Sequence, residues 1–178
     1  ALEGKFGLLE VFGGDNFNPH ALDSKLGERY VVSEAQTKAY PFCYGMHTMA
    51  QALHALRIEH GIERTAIKSV RVGTNKQNLA THAELAPKET MAAQYSMPFA
   101  AAVALAGDPK NPRSFTGAAL DDPAVCDLAR RVKLYADPDM EAVYPRHGAH
   151  VEVRLTDGRI LDAVVLDETP VTKNSSVP

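Results

Sequence analysis

The sequence contains no tryptophan and only two cysteines among its 178 residues. Cys43 and Cys126 lie far apart and lack a paired metal-site or redox spacing, which excludes a disulfide-rich scaffold and predicts a reducing, cytoplasmic compartment. A basic excess is also absent, because the formal net charge is -3, and we therefore expect no nucleic-acid partner. No apolar run approaches the ~18 residues of a membrane helix, and no signal peptide is recognisable, so no membrane partner is expected.

The residues that are present predict a globular α+β domain. Hydrophobic residues make up 45% of the chain and charged residues 23%, which is typical of a folded domain. A 3.6-residue apolar period predicts a helix from Met46 to His60, ended by Gly61. The run IKSVRVGT alternates as a half-buried strand does, and HVEVRLTDGRILDAVVL predicts a β-hairpin with a primed turn at Asp157-Gly158. We expect helices packed on a small antiparallel or mixed sheet.

Other segments predict further, less regular elements. One helical segment is expected from Pro87 to about Ala106, and Pro98 inside it should kink or split the helix. Another is expected from Pro123 to about Val132, followed by a short strand and turn in KLYADPDME. A short helix lies near Pro19 and a second is possible in NKQNLATHAEL.

The stretch TKAYPFCYGMH concentrates the residue types that carry chemistry. A metal site is not predicted there, because His47 and His54 stand two helical turns apart, a rise of ~10 Å. Cys43 could be a nucleophile with a histidine as base, or a small buried hydrophobe. Lys38 could hold an anion beside a helix start, or be a solvated lysine. His47 could be an acid or base, or a buried structural histidine. For Cys43 the sequence offers no partner that would orient a base, so the small buried hydrophobe is the favoured interpretation. The residues alone leave the alternatives for Lys38 and His47 open.

Four segments, taken in order, resemble the MmgE/PrpD family. They are ALEGKFGLLEVFGG, KAYPFCYGMHTMAQALHAL, PKETMAAQYSMPFAAAVALAGD and HVEVRLTDGRIL. The second is similar to the family's K-P-Y-P-x-C-x-x-x-H segment, with Ala39 in place of the usual proline. The third is similar to its A-Q-F-S helix, and the fourth to its V-E-V-R-L-x-D-G-R hairpin. The family includes 2-methylcitrate dehydratase, cis-aconitate decarboxylase and iminodisuccinate epimerase.

The resemblance implies acid–base chemistry on small di- and tricarboxylates, with no metal and no cofactor. Lys38 matches the motif lysine and is expected to contact a substrate carboxylate. His47 matches the motif histidine and is the catalytic candidate, as a proton carrier or second substrate contact. Gln94, Tyr95 and Ser96 match the A-Q-F-S segment and are expected to bind substrate, with helix packing as the alternative. Cys43 is assigned no chemistry.

The resemblance also implies an organisation. Family members have a large helical domain and a smaller α+β lid, with the active site between them, and this chain matches the lid. We expect residues 1–30 to lead from the missing helical domain, residues 31–168 to form the lid, and residues 169–178 to be a frayed tail. The expected partners are a small carboxylate substrate, the helical domain and a second copy in a homodimer. As an isolated fragment the lid is expected to be inactive.

Two other hypotheses compete with the lid of a lyase or isomerase. The first is a non-catalytic, stand-alone α+β module that binds or associates through its sheet or an apolar helix face. The second is a Cys/His hydrolase built on Cys43, which ranks last.

Overall fold

A computed structural model describes residues 4, 6–14, 18–30, 32 and 37–166. The chain divides into two compact units, residues 1–37 and 38–178. The first unit contains helix α1 (Leu8–Gly13) and a 3-10 turn at Pro19–Ala21, and α1 buries no side chain. The predicted tail at residues 169–178 lies outside the described residues.

The second unit is built on a four-stranded mixed sheet. Its strands are β1 (Ile67–Thr74), β2 (Val132–Ala136), β3 (Ala149–Leu155) and β4 (Ile160–Val165). The spatial order is β2-β1-β3-β4, with β1 and β2 parallel and the other two pairings antiparallel. Side chains alternate across the sheet, so that Val70 and Val72 of β1 are buried whereas Arg71 between them is exposed. The predicted α+β class with a mixed sheet is confirmed.

The described part of the second unit also contains six α-helices. They are α2 (His47–His60), α3 (Lys76–Thr81), α4 (Thr90–Gln94), α5 (Met97–Ala106), α6 (Pro123–Arg130) and α7 (Pro138–Ala142). Helix α2 ends as predicted, because Gly61 adopts a left-handed conformation (φ 58°) and its N–H caps the last turn. The alanine-rich helix α5 packs between α2 and α6, where small side chains allow a close approach.

The helical segment predicted between Pro87 and Ala106 is split, one of the two outcomes expected there, but the break lies just before Pro98 and not at it. The structure has two helices, α4 and α5, separated at Tyr95 and Ser96. Ser96 has extended backbone, and its hydroxyl accepts a hydrogen bond from the Phe99 N–H, which begins a new helix. Pro98 then lies in the first turn of α5, where the missing N–H has no intrahelical partner to lose.

The hairpin between β3 and β4 is confirmed, but its turn differs from the predicted one. The Gly158 N–H donates to the Leu155 carbonyl, and the Leu155 N–H donates to the Arg159 carbonyl. The loop is therefore three residues long, with Gly158 (φ 92°) in the position that requires a positive φ. Asp157-Gly158 is part of a turn followed by a bulge, and it is not the centre of a two-residue primed turn.

Candidate functional site

Residues 38–47 form a corner that leads into α2. Tyr40 and Phe42 are buried and stack on each other, with ring centroids 5.3 Å apart, and this anchors the segment to the core. Lys38 remains exposed at the rim. Its Nζ donates to the Phe42 carbonyl oxygen at 3.3 Å, which folds the lysine side chain back over the corner.

His47, the first residue of α2, lies beneath this corner and is 0% exposed. Its ring stands between those of Tyr40, Phe42 and Tyr44, at centroid distances of 5.0, 5.3 and 5.2 Å. The Nε2 atom lies 3.2 Å from the Phe42 carbonyl oxygen. Since a carbonyl can only accept, Nε2 carries the proton of this hydrogen bond. The structure thus brings Lys38 and His47 together on one acceptor.

Burial lowers the pKa of His47 to about 4. The Phe42 carbonyl opposes this shift, while the positive charge of Lys38 and the nearby His147 add to it. The ring is therefore uncharged at neutral pH. It can donate one hydrogen bond and can accept a proton, but it presents no positive charge to an anion.

Two further histidines lie at the corner, and the sequence analysis missed both. His82 is 6% exposed, and its Nε2 is 3.4 Å from the Cys43 sulfur. Burial lowers the pKa of His82, with the backbone at Tyr95 and Thr81 acting against the shift. No spacing signal could have found this pair, because 39 residues separate its members.

The second missed histidine is His147. It is half-buried, and burial lowers its pKa. Its ring lies against those of Tyr44 and Tyr144, at 5.6 and 6.3 Å. A positive charge on His147 would lower the pKa of both His47 and His82. Across the part of the chain that the structure describes, no group of three or more histidine, cysteine or acidic side chains is arranged to hold a metal ion.

The three residues predicted from the A-Q-F-S segment occupy different environments. Gln94 is half-buried, and its backbone carbonyl accepts from the Cys43 N–H at 2.9 Å. Tyr95 is 52% exposed, with its ring 5.6 Å from that of His82. Ser96 is fully buried, and its hydroxyl caps α5 and donates to the Glu84 carbonyl. Tyr95 is therefore the one that presents its side chain most openly at the corner.

Residues 40–170 match the MmgE/PrpD C-terminal domain. The chain belongs to the MmgE/PrpD family. This confirms the predicted family and the assignment to the C-terminal portion. The matched range contains the third and fourth sequence segments and nearly all of the second, whereas the first, residues 1–14, lies outside it. No curated protein sequence matches the chain significantly.

The MmgE/PrpD match covers most of the predicted site. His47 and the three residues of the A-Q-F-S segment lie inside the matched range, whereas Lys38 lies two residues before it. None of the described helices is long and apolar enough to cross a membrane.

Asn78 stabilises the corner of this MmgE/PrpD domain through buried hydrogen bonds. This residue is 3% exposed, and its side-chain amide donates to the Gly45 carbonyl at 2.9 Å and to the Thr74 hydroxyl at 3.1 Å. Its backbone N–H donates to the Asn75 side chain, which caps α3. Gly45 belongs to the 3-10 turn Tyr44–Met46 immediately before His47. Asn78 thereby fixes the turn that delivers His47 into the core.

A second polar cluster lies where β2 ends and β3 begins. The Tyr135 hydroxyl is 3.1 Å from His150 Nδ1 and 3.3 Å from Asp137 Oδ2. Burial alone would raise the pKa of Asp137, but hydrogen bonds from the Asp139 and Met140 N–H groups, His150 and Tyr135 outweigh it and lower the pKa. Because Asp137 caps α7, this cluster has a structural role.

Proposed function

We propose that this chain is the lid portion of a metal-independent lyase or isomerase that acts on small di- or tricarboxylates, in the manner of 2-methylcitrate dehydratase. The lid works together with a helical domain of the same enzyme, in a cytoplasmic homodimer. The principal acid and base belong to that helical domain, so the isolated lid does not turn over substrate.

The observation that carries the proposal is the position of Lys38 over the corner of a domain from this family. Its ammonium group has three donors, and one makes a 3.3 Å hydrogen bond to a neutral carbonyl. The side chain is exposed, so its other donors can meet a carboxylate. Neither His47 nor His82 competes as a positive charge, because burial lowers the pKa of both rings.

The proposed chemistry begins with removal of a proton from the carbon next to a carboxylate. Negative charge then develops on that carboxylate, and the Lys38 ammonium stabilises it. Loss of water or carbon dioxide, or return of the proton to the other face, completes the reaction. Gln94 and Tyr95 are proposed to orient the substrate by hydrogen bonds.

His47 remains the catalytic candidate of this corner. A ring whose pKa is about 4 is neutral at pH 7, so its second nitrogen carries no proton, but as a weak base it can take one up only transiently. Its Nε2–H is engaged with the Phe42 carbonyl, which also orients Lys38. We propose that His47 couples proton movement to the position of the lysine.

Exposed apolar side chains support an association with the helical domain. Met91 and Tyr95, four residues apart across α4, are 71% and 52% exposed, and Tyr44 is 43% exposed. The same side chains would serve the alternative function, a non-catalytic association module. Turnover of a carboxylate by the native protein separates the two functions, because the module has none.

The test uses the protein purified from its source at its native length. An immunoblot against this chain gives the size, and the proposal expects a band well above 19.3 kDa. Small di- and tricarboxylates are then assayed in deuterated water by NMR for loss of water, loss of carbon dioxide or exchange of the proton next to a carboxylate. A band at 19.3 kDa without any of these reactions would favour the association module.

Lys38→Met tests the site itself, with Lys68→Met as the matched control, because Lys68 is an exposed lysine on β1. Removing the stabilising cation should lower turnover by about 100-fold or more without changing the unfolding curve. Wild-type kinetics of the Lys38 variant would refute the assigned role.

A further inference from the structure

The geometry points to Cys43 as a site of thiol–disulfide exchange, with His82 as its proton acceptor and small disulfides as the reacting class. This pair takes no part in the proposed carboxylate chemistry.

The contact between the two side chains carries the inference. The Cys43 sulfur lies 3.4 Å from Nε2 of His82, which is within hydrogen-bonding distance for sulfur. Cys43 is half-buried, so the residue is not fully enclosed by the core. His82 is 6% exposed and immobilised by its backbone, since its carbonyl accepts from the Met97 N–H at the start of α5. The base is therefore held in place before any reagent arrives.

The protonation state of the ring suits this role. Burial lowers the pKa of His82, so the ring is neutral at pH 7 and one nitrogen is free of a proton. The backbone at Tyr95 and Thr81 offsets part of the lowering, so the ring keeps some of its basicity although burial weakens it as a base.

Cys126 provides an internal control for the reactivity of Cys43. This second free cysteine is also half-buried, but its sulfur donates to the Leu120 carbonyl oxygen at 3.2 Å. A carbonyl accepts a hydrogen bond but does not take up the proton at neutral pH. The two thiols thus share their degree of burial and differ in the basicity of the hydrogen-bond partner.

The exchange step balances without any other reagent. The Cys43 sulfur attacks one sulfur of a small disulfide as its proton passes to Nε2 of His82. The disulfide bond of the reagent breaks, and its second half leaves as a thiolate. The products are a mixed disulfide on Cys43, a protonated His82 and one free thiolate, and a small thiol reverses the reaction.

A mixed disulfide on Cys43 would lie beside the residues that form the corner. Cys43 follows Phe42, whose carbonyl holds both Lys38 and His47. A group attached to the Cys43 sulfur would lie against His82, whose ring is 5.6 Å from that of Tyr95, and would therefore disturb the Tyr95 side of the corner. This consequence rests on the proposed function: a mixed disulfide on Cys43 would make binding of the carboxylate substrate sensitive to oxidised thiols.

The test measures the reaction of each thiol with dithiodipyridine in the folded chain. Cys126→Ser leaves Cys43 alone, and Cys43→Ser leaves Cys126 alone. We expect Cys43 to react at least about tenfold faster than Cys126 at pH 7, which is a modest contribution for a positioned base. His82→Gln in the Cys126→Ser background should reduce the Cys43 rate to that of Cys126. Glutathione disulfide followed by mass spectrometry should modify Cys43 first.

The reaction rates of the two thiols in urea provide a second reference. This reference is valid whether or not the His82→Gln variant folds. Both thiols lose their partners in urea and should react alike there, so the ratio of the Cys43 rate to the Cys126 rate should fall towards one. A native Cys43 that reacts no faster than Cys126 would overturn the inference. An unchanged Cys43 rate in a folded His82→Gln variant would overturn the role of His82.

Discussion

Asn78 donates a hydrogen bond of 2.9 Å to the carbonyl oxygen of Gly45, a residue 33 positions earlier in the chain. The bond joins α3 to the turn that precedes α2. Both groups are buried, so neither finds water if the other is removed. The placement of His47 therefore depends on a side chain that lies outside the corner segment.

Asn78→Ala should lower the free energy of unfolding by about 2–4 kcal/mol, because it leaves buried polar groups of Gly45 and Thr74 without partners. Urea denaturation followed by circular dichroism measures the change. Gln77→Ala, at the exposed neighbouring position of α3, is the control and should be nearly neutral. Equal stability of the two variants would show that Asn78 does not hold the turn.

Gly45→Ala tests the same contact from the other side. A Cβ at this position would lie 2.7 Å from Oδ1 of Asn78, whose amide is fixed by its hydrogen bonds and cannot move away freely. We expect a loss of about 1–3 kcal/mol in the free energy of unfolding. At Gly107 the nearest atom to a new Cβ would be 3.9 Å away, so Gly107→Ala is the control. A harmless Gly45→Ala would mean that the turn adjusts.

Stability should fall as the pH is lowered from 7 towards 4. The pKa of His47 is about 4 in the folded chain and near 6.5 when unfolded, so the unfolded chain binds the extra proton first. The unfolded state gains from that proton over this window, and His47 alone accounts for about 3 kcal/mol. Burial lowers the pKa of His82 and His147 too, and both act in the same direction.

Urea denaturation at several pH values between 7.5 and 4.5 measures this dependence. His47→Gln should flatten the curve in that window, because the group that binds the proton on unfolding is gone. His60→Gln, at the exposed end of the same helix, is the matched control. If the two variants show the same slope, His47 is not the source of the acid sensitivity.

Ser96→Ala separates a structural role from the predicted substrate contact. The hydroxyl caps α5 and donates to the Glu84 carbonyl, so its loss should lower the free energy of unfolding by about 2 kcal/mol. Thr116→Ala removes an exposed hydroxyl and is the control. A variant with native stability but weaker binding of a carboxylate substrate would favour the substrate contact instead.

The sequence predicted those helices and strands that are marked by a pattern within one short segment. Helix α2 has an apolar period and a terminal glycine, and β1 alternates, so both appear where expected. The break between α4 and α5 was expected at Pro98, but it lies at Tyr95 and Ser96, because the capping hydroxyl of Ser96 begins the second helix. A proline in a first turn and a proline in a helix interior look alike until the cap is identified.

The candidate site likewise combines residues that are close in the sequence with residues that only the fold brings together. Lys38 and His47 are close in the sequence, and the structure places both on the Phe42 carbonyl. His82 and Asn78 reach the corner only because β1 and α3 return the chain to it. Contacts of this kind depend on tertiary packing, to which neither periodicity nor short-range spacing is sensitive.

The central strand of the sheet has a consequence for synthesis of the chain. β1 ends at Thr74, but its two neighbours begin only at Val132 and Ala149. While the ribosome produces the intervening residues, β1 has two unpaired edges and an apolar face. We expect the nascent chain to depend on chaperone protection until β3 has emerged.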